Sequence, residues 1–460
     1  MQISKKNYLF YFISLIVCFL LFRQSDITHT NASSFAYLHG HIANFYDYNK
    51  PLVGGNDYLP LVYLIFALWN LPLKLLELIP EVTSSTWMTS STIIIIWSKL
   101  LLVIFFFASI GLLGKISNQI GSFIGQNSNQ KMTLTPSLLF LTSPFAIFSV
   151  FIFSGYDIFG AFFTLLGLYC YFQKKFFHFA CWFSIAISLK FFAALIYLPL
   201  VLIIEKRILW LLAYGLMGLL ASAIQYGLYW HSEIFRSEIF NLLMRKTDGE
   251  TTHLKLILGS IAYCAVALRL YFLKIDISKN PIDWSRAAIF ACIFSYALLF
   301  SLVHWHPQWI VIILPFTYLG YHFVVHQRIL SWLEMIGYIG FICWCVNGWV
   351  QNVDITMAYG GVFGGSLPAT QHFGADILSK KWMGFSRTVF YIFLYSPLVI
   401  YSFEYLTKVV SHTGLYSSLG QVYPANSSAP VYDVRTLLFG RFFVASYFFI
   451  ALTVICLAWN

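Results

Sequence analysis

The chain has 460 residues, of which 59% are hydrophobic, 19% aromatic and only 10% charged, with a mean hydropathy of +0.74. That balance lies far from the usual globular one and excludes a soluble domain. The formal charge of +10 does not point to nucleic acid, because the basic residues are scattered at the ends of apolar runs. They report topology instead of partners.

Apolar segments long enough to cross a hydrocarbon core of roughly 30 Å recur along the chain, and a backbone in lipid satisfies itself as helix. The expected fold class is therefore an all-α polytopic membrane protein. The first run, Tyr8 to Phe22, follows Lys5-Lys6 without a small-residue cleavage site, and is expected as an uncleaved helix starting in the cytoplasm. The polar stretch Arg23 to Asp57 comes next. Tyr58 to Pro80 contains Pro60, Pro72, Lys74 and Glu77; counting it as a crossing would invert every later helix, so it is expected as a broken helix on the outer leaflet.

Thr92 to Gly114 then runs inward, Leu134 to Phe153 outward, and Ile158 to Phe172 inward to Lys174-Lys175. His178 to Leu189 and Phe192 to Ile204 form a short pair, followed by Ile208 to Trp230, an outer loop 231 to 253, and Leu254 to Leu273. Ala287 to Val303, Trp309 to Val325, Ile329 to Val350, Phe385 to Thr407 and Phe439 to Trp459 complete about thirteen crossings. Each helix of the short pair spans about 18 to 20 Å at roughly 1.5 Å per residue, less than the core. Their junction at Lys190 suggests a cavity open to one face.

The first carboxylate, Asp26, lies four residues beyond the first apolar run. It is either a solvated helix-end acid or a base held at the membrane surface. The aromatic and polar stretch Phe35 to Asn49, with Tyr46 and Asp47, and the nearby Asp57 and Tyr58 suit sugar binding or an interfacial belt. Lys190 is the costliest charge, at roughly 2.5 to 3.5 kcal/mol for a central intramembrane lysine. It is either a snorkelling anchor or a point charge for a lipid phosphate.

Tyr156 and Asp157 open a helix on the outer face, where the helix dipole alone accounts for an acid. His304-Trp-His306-Pro-Gln308-Trp309 lies at an outer junction; one H-x-H without further ligands is weak for zinc and fits phosphate or sugar orientation, or a membrane belt. Arg245, Lys246 and His253 in the outer loop either add charge for an anionic headgroup or are solvated. All eight cysteines fall in apolar segments as small hydrophobes, so neither disulfides nor a metal site at Cys343-Trp-Cys345 is expected.

In chain order these residues resemble the GT-C superfamily of multi-span glycosyltransferases, in particular polyprenyl-phosphate-sugar users related to the first GPI mannosyltransferase. The resemblance extends from Met1 to about Tyr321 and rests on Asp26-Ile27, Tyr58-Leu-Pro-Leu61, Ser98-Lys-Leu100, Ser143-Pro144 with Ser154-Gly-Tyr-Asp157, Leu189-Lys-Phe191 with Leu198-Pro199, and His306-Pro-Gln-Trp309 with Leu314-Pro315. It implies a GT-C type bundle, with a catalytic module over 1–230, including a helical first outer loop at 23–91, and a variable module over 231–460.

It further implies an inverting transfer of mannose or another sugar from a polyprenyl-phosphate donor to a glycan or glycolipid acceptor. The active site would face the extracytoplasmic side of a bacterial cell membrane. Asp26 would be the catalytic base; Lys190, His304 and His306 would hold the donor phosphate; Tyr46, Asp47, Asp57, Tyr58, Tyr156, Asp157 and Gln308 would line the substrate site. The family's mannosyltransferases carry Asp-x-Asp at the first loop where this chain has Asp26-Ile-Thr28, so no metal or other cofactor is implied. A lipid-linked oligosaccharide flippase or a polysaccharide polymerase is the alternative, although no internal symmetry of the transporter kind is visible.

Overall fold

The computed structural model describes residues 5–83, 91–124, 135–247, 252–303, 305–324, 326–348, 362, 383–412, 437–444 and 446. Every regular element among them is helical. Among the described residues five helices are long and apolar enough to cross a membrane: Thr92–Phe123, Ile208–Tyr229, His253–Phe272, Pro281–Leu302 and Gln327–Cys345. The chain is an all-α membrane protein.

Helix α1 (Lys5–Leu21) ends just before Arg23, and α2 (Ser25–Leu38) leaves its direction by 67°. The bend follows from composition: α1 is predominantly apolar from Tyr8 on, whereas α2 carries Asp26, Thr28, His29, Thr30 and Asn31 within two turns. Such a helix does not continue the apolar axis of α1; its polar groups need protein or water around them. After α3 (Phe45–Val53), α4 (Pro60–Leu75) is one unbroken helix. Pro60 starts it, where a missing N–H costs nothing, and Pro72 falls in its last turn, so neither proline breaks it as the sequence suggested. Leu64, Leu68, Leu71 and Leu75 form an exposed apolar stripe at helical spacing, while Val62, Phe66, Asn70 and Leu73 are buried. On the buried side Asn70 donates to Asn31 of α2 at 2.7 Å.

Helix α5 runs from Thr92 to Phe123, two and a half turns beyond its expected end. The expected crossing Leu134 to Phe153 is instead broken into α6 (Pro136–Leu141), α7 (Pro144–Ile147) and a π-turn over Phe148–Ile152. Thr135 and Ser143 each cap the helix that follows through a side-chain acceptor, and each is followed by proline at the first helical position. Next come α8 (Asp157–Phe172), the short pair α9 (Phe176–Leu189) and α10 (Ala193–Ile204), and α11 (Ile208–Tyr229). The segment after α11 contains α12 (Glu233–Thr247) and leads to α13 (Thr252–Phe272) and α14 (Pro281–Leu302).

The expected crossing Trp309 to Val325 is also interrupted, as a 3-10 turn Pro307–Ile312, α15 (Leu314–Gly320) and a second 3-10 turn Tyr321–Phe323. Helices α16 (Gln327–Gly348) and α17 (Met383–His412) and a helical stretch at 437–444 follow. Most of the expected last crossing, Phe439 to Trp459, lies outside the described residues. One hydrophobic core holds residues from Tyr11 of α1 to Phe442, drawing on both sides of position 230. A smaller core packs α2, α3, α4 and α12 together through Tyr37, Phe45, Tyr63 and Phe235.

Candidate functional site

The site is built around two backbone corners that one lysine ties together. Lys99, buried in apolar α5, donates through its Nζ to the carbonyls of Phe19 and Phe22 at the end of α1 and to that of Phe151 in the π-turn at 3.2 Å. Carbonyls without partners at a helix end suit a cation, and they compensate a charge that an apolar helix otherwise carries at a cost. The Gln24 N–H adds a second tie, to the Phe153 carbonyl at 3.1 Å. Asp26 on one corner is thereby fixed relative to Tyr156 and Asp157 on the other.

The second corner is locally demanding. Ser154 adopts φ +64°, a left-handed conformation uncommon outside glycine. Gly155 follows, its N–H donating to the Ser149 carbonyl at 2.7 Å. A Cβ at position 155 would come within 2.7 Å of the Cβ of Gln308, so only glycine lets the turn at Pro307–Ile312 approach this closely. The π-turn, the left-handed serine and the glycine together aim Tyr156 and Asp157 at the same place.

Tyr156 is buried, and its hydroxyl donates toward Asp26 Oδ1 at 3.5 Å. Its ring meets that of Tyr58 edge-on, with centroids 5.3 Å apart. The Lys190 ammonium reaches the Tyr58 hydroxyl at 3.4 Å and lies over the rings of Tyr58, Trp309 and Tyr156 at 4.4, 4.9 and 5.7 Å. Desolvated contacts of this kind stabilise a cation without neutralising it. Its ion partner is Asp157 Oδ1 at 2.7 Å. Lys190 caps α9 in an extended conformation, so the break between the short helices delivers its side chain inward.

In front of this row lies a cavity of about 290 Å³. Gln24, Asp26, His29 and Thr30 form one wall, Gly55, Asp57, Tyr58 and Tyr63 another, and Phe153, His306 and Gln308 the third. Burial, then the negative charge of Asp157, raises the Asp26 carboxyl to about 7, with Lys190 and the Tyr156 hydroxyl opposing and Asp57 adding. An acid that ionises near neutrality beside a cavity has the property that a general base requires. His29, whose Nε2 meets the Val53 carbonyl at 2.8 Å, is pushed down by burial.

Of the residues expected from sequence, Asp26, Asp57, Tyr58, His306 and Gln308 line the cavity, and Tyr156, Asp157 and Lys190 stand immediately behind it. Tyr46 and Asp47 do not. Tyr46 points into the smaller core, against Tyr229 and Phe235, and donates to the Tyr58 carbonyl at 2.6 Å, so it holds the cavity wall from behind. Asp47, one residue on, is exposed in the first turn of α3, where the helix dipole stabilises it. His304 lies outside the described residues. Arg245 and Lys246 fall within α12, and His253 is exposed at the start of α13.

Gln24, His29 and Thr30 were not among the expected substrate residues. Asp26, His29 and Thr30 stand three and four apart, the spacing of one helix face, which is the signal that could have joined them. Nothing in the sequence joined Phe153 or Tyr63 to them. The architecture is that of an all-α membrane protein with a polar, aromatic-walled cavity. Compared with known protein families and with curated proteins, the chain matches none.

Proposed function

We propose that the chain is a GT-C type glycosyltransferase that moves a sugar, with inversion, from a polyprenyl-phosphate donor to a glycan or glycolipid acceptor outside the cytoplasm. The observation that carries this reading is the convergence of an acid poised near neutrality and a buried lysine on either side of Tyr58 and Tyr156, beside a cavity walled by aromatic and hydrogen-bonding groups. Asp26 takes the proton of the acceptor hydroxyl, a step worth about 10² to 10⁴ in rate. Inversion needs one such base on the face opposite the leaving group.

Lys190, with His306 beside the Trp309 ring that Lys190 also meets, offsets the charge that builds on the departing lipid phosphate. The cavity is near the lower bound of small-molecule sites, of the order of 300 Å³, which suits one sugar ring. With Thr28 in the place of a second acid and Asp157 held by Lys190, the base acts without a metal ion. On this reading the bundle has about thirteen crossings, and the residues beyond Tyr321 shape acceptor choice.

The test is reconstitution: purified protein in liposomes, supplied with labelled polyprenyl-phosphate sugar and acceptor glycolipid. Transfer of label to the acceptor, undiminished by a chelator, is expected. Movement of the labelled lipid between leaflets without transfer would replace the enzyme by a flippase.

A further inference from the structure

A second cavity, of about 550 Å³, lies between α13, α14 and α17, away from the site around Asp26. Its shape is graded. At the mouth stand Lys274, Asn280, Asp283 and Arg286, where α13 has ended and α14 begins. Further along α14 the lining becomes wholly apolar, through Phe290 and Ala291 to Phe294, with Leu398 of α17 opposite. Phe290 and Tyr401 stack with centroids 3.7 Å apart and make a flat aromatic wall between α14 and α17.

From Asp283 to Phe294 the helix rises about 16 Å, roughly half of a hydrocarbon core. The cavity is therefore one leaflet deep, polar at one end only.

The charge around the mouth has one predominant sign. Lys274 is exposed there, and Arg286 is half-buried, its guanidinium over the Phe323 ring at 5.7 Å and one nitrogen 3.1 Å from Asp283. The buried Arg286 Nε has no hydrogen-bond partner among the described residues. Lys174 reaches Ser278 at 3.3 Å and Lys206 reaches the Leu270 carbonyl at 2.8 Å, which brings two more cations to this end of the bundle. A concentration of lysine and arginine at one end of the helices marks the cytoplasmic side. Basic pockets between helices on that side suit anionic lipid headgroups.

We propose that this cavity binds one anionic phospholipid of the inner leaflet. Its phosphate sits between Lys274 and Arg286, and one acyl chain lies along Ala287, Ala291 and Phe294 under Leu398. A free phosphate would use only the mouth and would leave the apolar depth to water, which a lined apolar cavity of this size does not favour. The proposal is independent of the reaction assigned to the Asp26 site.

The test is native mass spectrometry of the full-length protein released from nanodiscs containing equal phosphatidylglycerol and phosphatidylcholine, with inorganic phosphate added in a parallel series. Retention of one phosphatidylglycerol in preference to phosphatidylcholine by about tenfold is expected, unchanged by millimolar phosphate. The double variant Lys274→Ala/Arg286→Ala should abolish that preference. Ala287→Phe, which keeps both charges but fills the apolar part, should lower retention by a similar factor; both variants are to be compared only if they elute as the wild type does and keep its helical circular dichroism. Equal retention of the two lipids, displacement by phosphate, or full retention in Ala287→Phe would overturn the proposal. Should a variant not fold, the wild-type lipid preference and its resistance to phosphate still decide the matter.

Discussion

Two buried ion pairs, nearly identical in length, have opposite surroundings. Lys190 meets Asp157 at 2.7 Å and Arg441 meets Glu334 at 2.6 Å, and all four side chains are at least nine-tenths buried. Around Glu334 the space is filled: Ser143 donates to one carboxylate oxygen at 3.0 Å, Tyr318 donates to the same oxygen, and Arg441 also reaches the Leu139 carbonyl at 3.0 Å. This network fastens α16 and the helical stretch at 437–444 to α6 and to the cap of α7.

Around Lys190 the partners are mostly aromatic faces, and among the described residues neither oxygen of Asp157 accepts a hydrogen bond beyond the ion pair itself. A cavity lies on its far side. Burial of a charge pair is thus a weak sign of function on its own. Unused hydrogen-bonding capacity does not separate the two, since Glu334 Oε2 and Arg441 Nε and Nη1 also lack hydrogen-bond partners among the described residues; adjoining room does.

The contrast can be broken by substitution. Arg441→Met leaves Glu334 buried without its cation and should cost about 3–5 kcal/mol, read as a fall in the melting temperature of the purified protein. Donor KM in the surviving fraction should be unchanged; a raised KM would mean that the two pairs do not differ in kind. Lys190→Ala should lower kcat/KM for the donor by about 100-fold and affect the acceptor less. The reverse pattern would remove the lysine from the leaving phosphate.

A smaller effect sharpens the electrostatics. Asp26 must be ionised to accept a proton, so wild-type transfer should fall as pH drops below about 7, where burial and the Asp157 charge have placed its ionisation. Asp157→Asn removes the negative neighbour that disfavours a second carboxylate and frees Lys190, which favours it. Both act in one direction, and the acid limb of the kcat/KM profile should move to lower pH. No movement, or movement to higher pH, would deny the coupling of the two acids.

The helical class, and most helix limits from Asp157 to Phe272, were legible because long apolar runs and their charged ends leave little choice of conformation in lipid. The interruptions were not. Leu134 to Phe153 and Trp309 to Val325 read as largely apolar stretches, and Pro136, Pro144, Pro307 and Pro315 mark where the backbone turns without saying how sharply. Those turns are what bring Tyr156 and Gln308 to Asp26, so the weakest part of the pattern carries the site.

The role of Lys99 was hidden for a related reason. An apolar helix with one lysine gives no indication of which distant carbonyls will receive it. Asp26, by contrast, could be singled out from its position alone, but its neighbours could not: Asp57 lies 31 residues away and Asp157 another 100.

The role of Asp26 as the base of a sugar transfer is open to a direct measurement. Asp26→Asn keeps the shape of the side chain and its place at the start of α2 while removing the capacity to take a proton. Assayed in liposomes beside the wild type, with labelled polyprenyl-phosphate sugar and matched protein content, it should form product at least about 100-fold more slowly while the protein stays folded in the membrane. Transfer at a rate near that of the wild type would contradict the assignment.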